Sequence, residues 1–195
     1  MLKELVDRFA HVTSLPIEIG EISPEIKNLG CQDEIHLFPV DCDPTVFRGA
    51  FIQYRYHAAA YGEPIWVTHI AYCRNVPLEW QRVICAKDLV HIFDPNATRT
   101  DTEEEVSGLL DKLVGPLSSE DYSFTDIMAV KDRIALYQCL PLLLPKASLE
   151  LARQQVRAGL KTEQQIAEWA CMPVLLVSLM LSEEWENLNG ALEGL

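Results

Sequence analysis

The fold is organised around one stretch of sequence, Gln81-Arg82-Val83-Ile84-Cys85-Ala86-Lys87-Asp88-Leu89-Val90-His91-Ile92-Phe93-Asp94. Its apolar residues recur at the spacings of a mostly buried helix face, and Pro77 stands a few residues upstream, where a helix can begin without the missing N–H. In a helix, Lys87 and His91 lie one turn apart on the same face, with Asp88 beside them. We therefore predict a central helix that presents these three polar side chains together.

The order Lys87-Asp88-Leu89-Val90-His91 has the layout of H-E-x-x-H, in which two histidines hold zinc and the glutamate acts as general base. Here a lysine stands at the first histidine position and an aspartate at the glutamate position. A protonated lysine has no lone pair to offer a metal, and an aspartate is one methylene shorter than a glutamate. The pattern therefore retains one of its two histidines, at His91.

The residues around this motif resemble the ImmA/IrrE-type zinc metallopeptidase family, whose members carry R-x-x-x-A-H-E-L-x-H and later E-x-x-A-N-x-x-A-x-x-L-L-x-P. The first block is matched by Arg82-Val83-Ile84-Cys85-Ala86-Lys87-Asp88-Leu89-Val90-His91. The second is matched by Asp132-Arg133-Ile134-Ala135-Leu136-Tyr137-Gln138-Cys139-Leu140-Pro141-Leu142-Leu143-Leu144-Pro145. The resemblance covers residues 45 to 181 and implies a zincin-like core, in which the motif helix lies beside a small antiparallel sheet.

The resemblance also implies which residues stand at the site. Lys87 and His91 occupy the two histidine positions, Asp88 occupies the general-base position, and Asp132 is the candidate for the third, acidic ligand. Whether Asp132 or the nearby apolar Ile134 corresponds to that ligand stays open. Because a catalytic zinc site uses three protein ligands and a water, and at most two of these positions survive, we expect vestigial positions with no bound metal and no other cofactor.

Two alternatives at this site stay open in the sequence. The Lys87 ammonium either replaces the lost cation by pairing with a leftover carboxylate or extends along the cleft into solvent. A different metal centre could be rebuilt from some of the residues His91, Asp94, Asp88, Asp132 or His69. For His91 we favour a hydrogen-bonded histidine in a filled pocket.

These residues favour a catalytically inactive metallopeptidase-like protein that acts by protein binding and regulation. The alternative is a zinc-dependent endopeptidase with a non-standard ligand set, which would cleave a regulatory protein. The resemblance implies a protein partner, such as a helix-turn-helix repressor or another regulator, and no part of the sequence names it.

The net charge and the cysteines indicate which partners and which cellular compartment the protein has. The 195 residues carry 16 basic and 29 acidic side chains, a formal net charge of −13, which argues against binding to nucleic-acid backbones or anionic membranes. The six cysteines are scattered without a C-x-x-C pair, which is typical of reduced thiols. With no signal-peptide pattern and no apolar run long enough to span a bilayer, we expect a cytoplasmic protein.

The rest of the chain predicts an α+β fold, a mostly helical domain with a small antiparallel sheet packed beside the motif helix. Strands are predicted at 47–56 and 64–72, with weaker alternation at 17–19 and 34–38, and helices at 2–12, 101–115, 125–144, 147–160, 163–170 and 173–181. We divide the chain into a degenerate metallopeptidase-like domain with an N-terminal extension, 1–145, and a C-terminal helical module packed on it, 146–195. The acidic tail from Ser182 is expected to be frayed, and the structure of 13–43 is left open.

Overall fold

The computed structural model describes residues 1–57, 64–94 and 124–192, and within these ranges it confirms an α+β fold. The helices are α1 Leu2–Phe9, α2 Ile19–Asn28, α3 Leu78–Val90, α4 Phe124–Leu143, α5 Lys146–Arg157, α6 Glu163–Ala170, α7 Val174–Leu181 and α8 Glu184–Leu192. The strands are β1 Glu34–Val40, β2 Gly49–Tyr56 and β3 Ile65–Cys73. The helix predicted at 101–115 lies outside the described residues.

Helix α3 is the predicted motif helix, and it lies at the centre of the fold. Pro77 is its N-cap residue, and the α-helix ends at Val90, after which His91–Phe93 continue as a 3-10 turn. The helix packs against β2 and β3 on one side and against α2 and α4 on others. It is therefore buried around most of its circumference, and even the polar Asp88 within it is 1% exposed.

The sheet has the order β1-β3-β2, with β3 in the middle. Strand β2 pairs antiparallel with β3, from Gly49 opposite Tyr72 to Tyr56 opposite Ile65. Strand β1 pairs parallel with β3, so the prediction of an antiparallel sheet is wrong and the sheet is mixed. Parallel strands need a long connection between them. Here that connection from β1 to β3 includes β2, which lies on the other side of β3.

The N-terminal extension forms helices where the alternation at 17–19 suggested a strand. Ile19 begins α2, and this helix continues through Pro24. The side chains of Ile22 and Ile26, one turn apart, are completely buried, and Ile17 just before the helix is 2% exposed. Burial of this apolar face outweighs the local cost of a proline in the helix, so the strand prediction is wrong.

The C-terminal helices share one continuous hydrophobic core with the rest of the described chain. The capping box predicted at Thr162 is confirmed: its hydroxyl accepts a hydrogen bond from the backbone N–H of Gln165, whose side chain in turn accepts one from Thr162. The expected frayed tail is wrong for α8, because Trp185 is 3% exposed and packs in the core. Arg153 of α5 also pairs with Glu186 of α8.

Within the described ranges, no single helix has the length and apolar character needed to cross a membrane. Only α6 and α7 taken together, with a bend of 114° between them, pass such a test by length and composition.

Candidate functional site

Packing of α3 against α4 brings together side chains that are far apart in sequence. Lys87 and His91 come from α3 and its 3-10 continuation, and Asp132 comes from α4. The Lys87 ammonium donates a short hydrogen bond to Oδ1 of Asp132, and Nε2 of His91 lies 3.5 Å from the same oxygen. Asp132 is half exposed, so its carboxylate stands at the open side of this group, with the two nitrogen-bearing side chains behind it.

Asp88 lies at the buried end of the group. Its Oδ1 is 3.0 Å from the Lys87 ammonium, whereas its Oδ2 is buried and accepts no hydrogen bond from the described residues. The backbone of β2 passes close by: a Cβ placed on Gly49 would lie 3.5 Å from Oδ2 of Asp88 and only 2.4 Å from Cγ2 of Ile84. A glycine at the start of β2 therefore lets the sheet cover this carboxylate closely.

His91 is held from several sides. Its Nδ1 lies 3.0 Å from Oδ2 of Asp94, while its Nε2 points to Asp132. The ring of Phe51 on β2 packs against it, with 5.6 Å between ring centroids. The imidazole is 8% exposed, so both of its nitrogens meet carboxylates in a largely enclosed position. A protonated ring can donate to both of them at once.

The pKa values of the four groups follow from this arrangement. Burial opposes charge on Lys87, but the carboxylates of Asp88 and Asp132 outweigh burial and raise the pKa of the ammonium. Burial likewise opposes charge on His91, but the hydrogen bonds to Asp132 and Asp94 raise its pKa to about 9. Burial raises the pKa of Asp88 against the attraction of Lys87.

For the pKa of Asp132, unlike that of Asp88, the charged partners outweigh burial. Burial would raise its pKa, but the hydrogen bond from His91 and the charge of Lys87 lower it to about 2. The site at neutral pH is therefore a cluster with a charged Lys87, a charged His91 and an ionised Asp132. The two cations and the surrounding carboxylates neutralise one another in a mostly buried position.

The same group contains a possible set of metal ligands. One ligand atom from each of Asp88, His91 and Asp132 lies within 4.8 Å of the others. The unpartnered Oδ2 of Asp88 is chemically suited to a cation. The Lys87 ammonium, however, already lies between the two carboxylates. The donor set fits a metal only if that side chain swings away, because a protonated lysine repels a cation and cannot coordinate one.

The structure brings most of the predicted site residues together in one group. Lys87, Asp88, His91 and Asp132 are brought together, and Asp94 joins through His91. Of the two residues between which the sequence left the third ligand position open, Asp132 supplies a carboxylate that contacts both Lys87 and His91.

His69, the remaining candidate, does not share this site. It packs on the sheet against the rings of His36, Phe38 and Tyr54. Among the described residues, the ligand atoms that lie together at the site come from Asp88, His91 and Asp132 and not from His69.

Sequence reasoning missed Gly49 and Phe51 and assigned no role to Arg82. The guanidinium of Arg82 is buried and donates to the carbonyl oxygens of Ile17 and Cys171, which ties the N-terminal extension and the C-terminal helices to α3. The signals in the sequence were an arginine among the apolar residues of a predicted helix and its match to the first residue of the family pattern. Gly49 carried none, because its role depends on which helix β2 crosses.

Comparisons with protein-family models, with curated proteins and with solved structures found no match.

Proposed function

We propose that this protein is a catalytically inactive relative of the ImmA/IrrE-type metallopeptidases, with a zincin-like core, that acts by binding and regulating a protein partner. The observation that carries the proposal is the position of the Lys87 ammonium between the carboxylates of Asp88 and Asp132. In the family pattern, the residues at positions 87, 91 and 132 would hold a metal, and residue 88 would be the general base. Here a covalently attached cation balances the carboxylates instead.

Two properties of the site support the absence of peptidase chemistry. The raised pKa keeps Lys87 protonated at neutral pH, so it supplies positive charge but no lone pair. Asp88, at the general-base position, is almost completely buried under β2 and engaged by Lys87. A general base must reach the proton that it removes from water, and this carboxylate has little access to it.

A protein partner fits the charge and the implied role. With a formal net charge of −13, the surface favours a partner that presents basic groups, and it disfavours nucleic acid and anionic membranes. By the resemblance, a helix-turn-helix repressor or another regulator is the expected class, in the cytoplasm. Binding would then use the retained scaffold, with Lys87 filling the position that zinc would otherwise occupy.

The decisive experiment measures metal and cleavage on the same purified protein. We expect elemental analysis to find no stoichiometric zinc, calorimetry to detect no tight zinc binding, and an unfolded casein substrate to remain intact when zinc is added. A purified helix-turn-helix repressor from the same genome should bind without being cleaved. About one tightly bound transition metal per chain, or cleavage that a chelator abolishes, would contradict the proposal.

The alternative is a zinc-dependent endopeptidase with a non-standard ligand set, and one observation favours it. Asp88, His91 and Asp132 place ligand atoms within 4.8 Å of one another. This alternative requires Lys87 to leave the site when zinc arrives. It therefore predicts that Lys87→Met, which removes the competing ammonium, increases zinc affinity and activity together, whereas an inactive protein gains no activity.

A further inference from the structure

Two cysteines on neighbouring segments lie close together at the end of the sheet where β3 finishes. Cys73 is the last residue of β3, and Cys42 lies in the connection from β1 to β2. The Cys73 thiol donates to the carbonyl oxygen of Cys42 at 3.2 Å, which places its sulfur beside the backbone of Cys42. No disulfide joins them in the structure.

The backbone around this pair is firmly positioned. The N–H of Cys73 donates to the carbonyl of Arg48 at 2.9 Å, and the N–H of Arg74 donates to that of Val40 at 3.0 Å. The side chain of Asn75 donates to the carbonyl of Cys42 at 2.8 Å. These bonds hold the segment 41–48 against the end of β3, so the backbones that carry the two thiols are fixed beside each other.

The two thiols differ in their access to solvent. Cys42 is half-buried, whereas Cys73 is fully buried. The buried thiols of Cys85 and Cys139 lie in the core, where burial raises the pKa of Cys85 to about 12 and raises that of Cys139 further. A small oxidant from solvent therefore reaches Cys42 before Cys73, and the core thiols are protected by burial.

We propose that Cys42 and Cys73 form a reversible regulatory disulfide when a hydroperoxide oxidises Cys42. In the first step the Cys42 sulfur attacks one oxygen of the peroxide, the O–O bond breaks, and Cys42 becomes a sulfenic acid. The other oxygen leaves with the Cys42 proton as water or an alcohol. In the second step the Cys73 sulfur attacks that sulfenic sulfur, the S–S bond forms, and the hydroxide leaves as water with the Cys73 proton. The dithiol loses two electrons and the hydroperoxide gains them.

The electrostatics of the pair suit these roles. Burial raises the pKa of Cys73, but the hydrogen bond from Cys42 and those from nearby backbone N–H groups outweigh it and lower that pKa overall. Burial and the interaction with Cys73 raise the pKa of Cys42 to about 11. Access rather than ionisation therefore selects Cys42 for the slow first step, and the more easily ionised Cys73 favours a fast second step.

The disulfide would act on the segment that leads into the candidate site. The connection 41–48 runs directly into Gly49, whose backbone covers Ile84 and the carboxylate of Asp88. A covalent bond from Cys42 to the end of β3 restricts the movement of this connection and hence of the edge of β2 over the site. The proposal concerns the cysteine pair and stands whether or not the protein is an inactive peptidase.

The test treats the full-length wild-type chain with hydrogen peroxide, blocks the remaining thiols with N-ethylmaleimide, and maps the peptides by mass spectrometry. We expect the count of free thiols to fall from six to four, with a cross-linked peptide that joins Cys42 to Cys73, and we expect dithiothreitol to restore six. Hydrogen exchange in 41–49 should slow in the oxidised form. A fall in thiols without this cross-link, or no loss of thiols before the protein unfolds, would overturn the proposal.

Variants separate the two steps. Cys73→Ser should leave a sulfenic acid at Cys42 that dimedone traps, and Cys42→Ser should leave the thiol of Cys73 unmodified because peroxide cannot reach it. The matched control is Cys171→Ser, a half-buried cysteine elsewhere, which should still form the Cys42–Cys73 bond. If Cys73→Ser fails to fold, the wild-type cross-link remains a complete test. Trapping at Cys171 instead of Cys42 would contradict the assignment.

Discussion

The ammonium of Lys87 lies 3.0 Å from Oδ1 of Asp88, its immediate neighbour along α3. Consecutive residues on a helix point in different directions and do not normally face each other. The contact forms because the long stem of Lys87 turns back over the buried carboxylate while its ammonium also binds Asp132 across the helix pair. One cation thus serves two carboxylates that belong to different helices.

Removal of this cation should destabilise the fold. We expect Lys87→Met to lower the free energy of unfolding by about 3 kcal/mol at pH 7, because it leaves a buried carboxylate without its partner. Urea denaturation measures the change. The matched control is Lys146→Met, an exposed lysine at the start of α5, which should change stability by less than about 0.5 kcal/mol. Adding Asp88→Asn to Lys87→Met should restore much of the loss, and equal losses in the single and double variants would contradict the pairing.

The charge on His91 should make stability depend on pH. Its pKa is raised from 6.5 to about 9, so its contribution is fully present below pH 6.5 and is lost as the pH rises through 9. We expect the difference in unfolding free energy between wild type and His91→Gln to shrink between pH 6.5 and about 9. An NMR titration of the His91 ring provides the direct measurement. A midpoint at or below 6.5 would show that Asp94 and Asp132 do not hold the charged form.

A second histidine should recover metal binding. Lys87→His places two imidazoles one turn apart facing Asp132, the ligand set of two histidines and a carboxylate that zinc accepts. We expect at least about a tenfold gain in zinc affinity by calorimetry, since a repelling ammonium becomes a ligand. Adding Asp132→Ala should remove the gain. Adding Asp88→Glu restores the longer general base, yet we expect little peptidase activity because β2 covers that position. A folded Lys87→His variant that binds zinc no better than wild type would show that residues 87 and 91 do not share a metal-sized site.

Strand β2 lies so close to α3 at Gly49 that a side chain at this position should destabilise the fold. A Cβ there lies 2.4 Å from a branch methyl of Ile84, so Gly49→Ala should cost about 1–3 kcal/mol in unfolding free energy. Gly20→Ala is the control, because a Cβ at Gly20 meets no atom within 4 Å. Thermal and urea unfolding would measure both variants. Ile84→Ala in the Gly49→Ala background should recover part of the loss, whereas a harmless Gly49→Ala would mean that the sheet lies farther from α3.

Helix α8 should contribute to the core rather than behave as a tail. Trp185 is 3% exposed, and we expect Trp185→Ala to cost about 3–5 kcal/mol. Trp80 provides a control of the same residue type, since it is 36% exposed at the first turn of α3 and its replacement by alanine should cost much less. Equal and small effects of the two substitutions in urea denaturation would indicate that α8 does not pack as described.

Several elements could be predicted from the sequence because their signals are local. The apolar spacing in 81–94 indicated α3, and the capping box at Thr162 indicated the start of α6. These features depend on residues within one or two helical turns of each other. The polar triple of Lys87, Asp88 and His91 was also visible for that reason, since a helix converts a spacing of four into a shared face.

The sequence by itself thus determined the central helix, the polar residues that it carries and the presence of a small sheet. Only the tertiary structure decided that β1 pairs parallel with β3, that α2 and α8 bury their apolar faces, and that Asp132 meets Lys87. The physical reason is the distance along the chain. Packing energy and ion pairing between segments dozens of residues apart leave no periodic trace in either segment, so these contacts exist only once the core has assembled.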